Sequence, residues 1–120
     1  MNELIVNICA AIKKGYLLHF YYESKSSRKK AWRTVRPYLL GTNKAGNLEL
    51  AALPTDELSK PINKRVSGHY LLESINLNRF ETLPESFDDP GVERTRVTHT
   101  PTVKDIICRF IYKDENEGDH

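Results

Sequence analysis

The densest chemistry in this chain is basic. Lys25, Arg28, Lys29, Lys30, Arg33 and Arg36 crowd into twelve residues, and no acid occurs from residue 24 to 48. Residues 1–53 carry nine lysines and arginines against three acids, residues 54–112 eight against nine, and residues 113–120 one against four, so the net charge of +2 hides a basic first half. Such a cluster focuses a field that attracts phosphates. It reads equally as a solvated loop kept soluble by lysines. Arg33, Arg36 and Arg79 fall on expected strands and not on loop tips. A guanidinium there is costly to bury unpaired, so it faces water, pairs with a carboxylate or awaits an anion. Its planar fork suits a two-point contact with phosphate. Arg36 and Arg79 are the expected clamp, with Arg33 and Arg65 adding to the field. The competing arrangement is cross-strand pairing with Glu49, Glu73 or Glu81, worth about 0.2–1 kcal/mol each. Arg33 and Arg36 are three apart and face opposite sides of a regular strand, unless a bulge near Pro37 changes the parity.

Aromatic rings interleave with these bases. Trp32, Tyr38 and Tyr70 are the expected stacking surfaces, where each base of a single strand gains about 1–3 kcal/mol. The same rings can fill a small core: Phe20 and Tyr22 read as core, and Trp32 reads either way. Bond-making chemistry finds little support. His19, His69, His99 and His120 are scattered without ligand spacing, so no metal site is expected. Ser67-Gly68-His69 and Ser86 lack a recognisable base, and neither a phosphate-binding loop nor a dinucleotide fingerprint is present. No cofactor is implied, and a binding protein is the expected class, not an enzyme.

Elements must hold these residues in place. At 120 residues the chain has the length of one domain, and 39% apolar with 28% charged residues is a soluble globular mixture. No apolar run approaches the roughly 18 residues of a membrane span, and the first residues lack a secretory pattern. Cys9 and Cys108, without CxxC spacing, read as two buried thiols in a reducing cytoplasm. Leu4, Ile5, Ile8, Cys9 and Ile12 recur at helical spacing over residues 2–14, and Gly15 stops that helix. Strands are expected within a barrel spanning 16–83, at 16–24, 32–40, 48–53, 64–72 and 75–83, with Pro37 marking a bulge or an edge. Pro84, Pro90 and Pro101 punctuate a connector over 84–101. Thr102 caps an expected second helix, 102–112, and the acidic residues 113–120 form an expected disordered tail. The expected architecture is mainly β (α+β): a small, strongly bent antiparallel sheet or barrel of about five strands, with an N-terminal and a C-terminal helix, in one domain over 1–112. The apolar side of the second helix would cover a barrel end or make a two-fold contact in a homodimer.

The order of short segments carries a resemblance. Leu18-His19-Phe20-Tyr21-Tyr22 is followed by Arg33-Thr34-Val35-Arg36-Pro37-Tyr38, then Gly46-Asn47-Leu48-Glu49-Leu50-Ala51-Ala52, then Ile75-Asn76-Leu77-Asn78-Arg79-Phe80. Over residues 4–87 this resembles the WYL domain, an Sm-like or SH3-like barrel found in bacterial transcription regulators and defence-associated proteins. Arg33-x-Val35-x-Pro37 is similar to that family's Arg-x-Val-x-Pro segment, and Asn78-Arg79-Phe80 to its Asp-Arg-Ile step. Leu48-Glu49-Leu50 occupies the place of the naming tripeptide, and Gly68-His69-Tyr70-Leu71, nearer the later strand, is also similar to it. The resemblance implies a regulatory module that binds a nucleotide or single-stranded nucleic acid and modulates a regulatory protein partner, detached from any DNA-reading segment. A protein–protein interaction or oligomerisation module without nucleic-acid binding is the alternative.

Overall fold

The computed structural model describes residues 2–25, 29–61, 64–86 and 103–109. Helix α1 (Asn2–Lys14) buries Leu4, Ile8, Ala11 and Ile12, a single stripe at helical spacing. Glu3 in its first turn and Lys13 and Lys14 in its last complement the helix dipole. It stops at Gly15, whose φ of 71° suits glycine. A side chain there would also press on the Arg36 guanidinium, 3.0 Å from an ideal Cβ.

Among the described residues six strands follow: β1 (Tyr16–Glu23), β2 (Lys30–Asn43), β3 (Leu48–Pro54), β4 (Gly68–Leu71), β5 (Ile75–Ser86) and β6 (Val103–Arg109). All the ladders are antiparallel, in the order β4-β3-β2-β1-β5, with β6 beside β2. The two ends of that order, β4 and β5, are joined by a single 3-10 turn, Leu72–Ser74. Laid flat, five strands would separate them by about 19 Å, whereas the four steps from Leu71 to Ile75 reach at most about 14 Å. The sheet must therefore roll. No ladder joins β4 to β5 among the described residues, so it stays an open, strongly bent sheet.

Its hollow holds the main core. Leu18, Phe20, Val35, Leu40, Leu50, Leu72 and Ile75 meet the apolar stripe of α1 there. A second cluster, Tyr38, Leu39, Ala51, Leu53 and Val103, lies apart from it. The register of β2 on β3 shifts between Pro37 and Leu39, which is the expected bulge. On the other edge of β2 the pairing with β1 runs to Val35 and that with β6 starts at Leu39. Pro37, which has no N–H to donate, falls in the gap between them.

Two expectations need correction. Residues 103–109 form strand β6 and not the helix expected over 102–112. Val103, Ile106 and Ile107 fit a helical repeat, but Val103 is buried while Ile106 and Ile107 are 53% and 48% exposed. The spacing did not mark a buried stripe. The far half of β2 offers an unpaired edge beyond β1, and a β-branched segment satisfies its N–H and C=O groups where a helix would not. Nor are the cysteines two buried thiols: Cys9 in α1 and Cys108 in β6 form a disulfide, with Cα atoms 5.8 Å apart. Closing a loop over 99 residues of sequence contributes roughly 5 kcal/mol in a chain-entropy account. Most of the connector expected over 84–101, and the whole tail 113–120, lie outside the described residues.

Candidate anion-binding cleft

The geometry of the site follows from strand parity. Pairing of Leu18 with Val35 and Phe20 with Arg33 sets Leu18, Phe20, Arg33 and Val35 on the concave side of the β1–β2 ladder. Leu18, Phe20 and Val35 are fully buried, but Arg33 lies beyond the end of the core and is exposed. It lines a cleft of about 400 Å³ at the mouth of the rolled sheet. Tyr22, Lys29, Glu57, Lys60 and Tyr70 are among its other walls.

The aromatic wall is rigidly placed. Tyr22 and Tyr70 meet edge to face at 5.2 Å and 85°, and Tyr70 meets Phe20 likewise at 5.5 Å. The Leu71 N–H donates to the Tyr22 hydroxyl at 3.0 Å, which ties β1 to β4 across the roll. Gly68 lies directly against the hydroxyl end of Tyr70, and any side chain at 68 would collide with it. Burial pushes the Tyr70 hydroxyl above its ordinary pKa, with the charge of Arg33 pulling the other way.

The polar wall is a folded-back loop. Thr55–Ser59 forms a 3-10 turn, and the Glu57 carboxylate accepts from Lys60 Nζ at 2.7 Å and from the Val66 N–H at 2.8 Å. Those two bonds, the Lys60 one first, hold Glu57 below the usual carboxylate range. Arg65 sits behind this wall, buried, with Nε donating to the Lys60 carbonyl at 2.8 Å and a terminal nitrogen to the Leu58 carbonyl at 3.0 Å. Its guanidinium is turned to the backbone and does not line the cleft. Among the described residues Lys29, Arg33 and Lys60 thus oppose a single lining carboxylate, Glu57, and no described carboxylate bridges Arg33 or Lys29. At the rim, His69 Nδ1 lies 3.4 Å from Glu49 Oε2. Among the described residues no group of three His, Cys, Asp or Glu could hold a metal ion.

The remaining expected site residues lie elsewhere. Arg79 caps the Tyr21 ring at 5.0 Å on the convex side. Trp32 lies on that side as well, stacked on His19 at 4.7 Å and 7° and meeting the edge of Tyr21 at 5.6 Å. The His19 ring is fixed in turn by Thr34, 2.8 Å from its Nδ1. Arg36 is buried against Gly15 and lies 5.5 Å from the Tyr38 ring. Arg36 falls one step beyond the Leu18–Val35 pair, level with Leu17, whereas Arg79 is level with Tyr21. About four residues, ~13 Å of strand, separate the two, so they do not form the expected clamp. Tyr38 is fully buried and presents no face for stacking. Of the residues singled out from sequence, the cleft gathers Arg33 and Tyr70, with Arg65 behind them. Lys60 and Glu57 were missed, although an acid and a base three apart within Thr55–Lys60 signal a turn with its own ion pair.

No protein-family model matches the chain, and no curated protein matches it. Among solved structures, it is similar to proteasome accessory factor B/C (PafBC) of Arthrobacter aurescens, with a TM-score of 0.56 and 20% identity. The match covers 70% of this chain and 12% of that one, so the chain spans a small part of that protein's length. At this identity the likeness is one of fold.

Proposed function

We propose that this chain is a regulatory module of WYL type that binds an anionic ligand carrying a flat ring, a nucleotide or a short single strand of nucleic acid. The observation that carries this reading is the mouth cleft, where Lys29, Arg33 and Lys60 face one carboxylate beside the edges of Tyr22 and Tyr70. Arg33 supplies the two-point phosphate contact, Lys29 and Lys60 add point charges, and Tyr70 gives a ring its apolar wall. The fold shared with part of PafBC supports the barrel-like architecture this reading needs. No bond is made: the ligand acts through its difference in affinity for two states of the module or of its complex. The convex face favours a second reading, docking of a protein partner, because Trp32 is half exposed beside Tyr21 and Arg79, the residue types that dominate interface energetics.

Titration of the full chain with adenosine triphosphate and with oligothymidine, followed by amide and side-chain chemical shifts, separates the two. The cleft reading expects shifts concentrated at Lys29, Arg33, Lys60 and Tyr70. Shifts confined to His19, Tyr21, Trp32 and Arg79, or none at all, contradict it.

A further inference from the structure

Strand β6 is attached to the fold in an unusual way. Of its seven residues, Lys104, Asp105, Ile106, Ile107 and Arg109 are exposed, Cys108 is half-buried, and Val103 alone is buried. So little apolar burial leaves an edge strand at the weak end of a protein's local stability. Its ladder with β2 is interrupted twice, between Leu40 and Gly41 and between Thr42 and Asn43. What joins it to the main core is the bond from Cys108 to Cys9, which leads into α1. Both cysteines are half-buried, neither being sealed inside the core. Gly41 completes the fit: a side chain there would run into the Asp105 carbonyl and the Val103 methyl groups.

We propose that β6 is a redox-gated strand, docked on β2 while Cys9 and Cys108 are bonded and released when they are reduced. The step is thiol–disulfide exchange with a dithiol. One thiolate of the dithiol attacks a protein sulfur, its second thiol resolves the mixed disulfide, and the dithiol leaves as a cyclic disulfide. Two electrons and two protons pass to the protein, which ends with two thiols. Release uncovers the β2 edge from Leu39 to Asn43, a row of unpaired N–H and C=O groups suited to receiving another strand. A disulfide of this kind in a reducing compartment belongs to the redox-sensing class.

Amide hydrogen exchange of the full chain with and without dithiothreitol tests this. In the oxidised chain the expected result is protection along Val103–Arg109 and along the β6-facing edge of Leu39–Asn43. Reduction should lower it ~10-fold or more there, while Leu18, Phe20 and Val35 stay protected. Cys9→Ser/Cys108→Ser should show the reduced pattern whether or not dithiol is added. Gly41→Val, which leaves both cysteines in place, should lower β6 protection in the oxidised chain and speed reduction of the disulfide by dithiothreitol. Unchanged β6 protection after both thiols are shown to be reduced overturns the proposal. So does finding two free thiols in the chain purified without reductant while β6 remains protected.

Discussion

The two sides of the β1–β2 ladder carry nearly the same ingredients and put them to different uses. On the convex side Arg79 lies on Tyr21, Trp32 on His19, and His19 against Thr34, so each polar or cationic group has a partner in the surface itself. On the concave side Arg33 stands at the mouth with Lys29 and Lys60, and the one carboxylate of the wall is already held by Lys60 and Val66. A mixture of bases and rings is thus not a site by composition. Parity and the end of the core decide which arginine meets a ring of its own protein and which is left facing a hollow.

The contrast can be broken in order of expected size. Phe20→Ala removes the fully buried ring against which Tyr22, Tyr70 and Phe80 pack. It should cost about 3–5 kcal/mol in denaturant unfolding and abolish the cleft with the fold. Arg33→Ala should leave the unfolding midpoint nearly unchanged yet weaken nucleotide binding by roughly tenfold, about 1.4 kcal/mol, as a charge-assisted contact is lost. Tyr22→Phe removes the acceptor of the Leu71 N–H and should cost about 0.5–1.5 kcal/mol, read by chemical denaturation. Arg79→Ala should cost no more than about 0.5–1 kcal/mol, the value of an exposed cation on a ring, and leave ligand affinity unchanged.

A pH prediction sharpens the same comparison. Tyr70 has its pKa raised in the fold, so its neutral form is the favoured one there. Its contribution to stability is complete below the ordinary tyrosine value of about 10 and is lost as pH rises above it towards the folded value. Unfolding measured from pH 9 to 11 should show this loss, and Tyr70→Phe should flatten it.

Much of the architecture was legible because it rests on periodicity. The α1 stripe, the Gly15 stop, the alternation through Leu18 and Phe20 and the Pro37 bulge are local signals, and the structure carries each of them. What escaped was non-local. The strand state of residues 103–109 is set by the free edge of β2, 60 residues and more away in sequence, and a short run such as Val103-Lys-Asp-Ile-Ile-Cys108 suits either period. The Cys9–Cys108 bond is likewise invisible until β6 lies beside α1. At the site, Arg33 and Tyr70 were picked by type, but Arg36 and Arg79 could not be sorted from them. Doing so needed the β1–β2 register and the way Arg36 packs under Gly15.

The central claim is that the hollow, through Arg33, receives a phosphate-bearing ligand. The salt dependence of oligothymidine affinity, compared for the unaltered chain, Arg33→Ala and Arg79→Ala, tests it most directly. The account predicts log affinity falling linearly with log salt, the slope shrinking by roughly one in Arg33→Ala and holding its value in Arg79→Ala. A slope unmoved by Arg33→Ala, or one that shrinks only in Arg79→Ala, would contradict it.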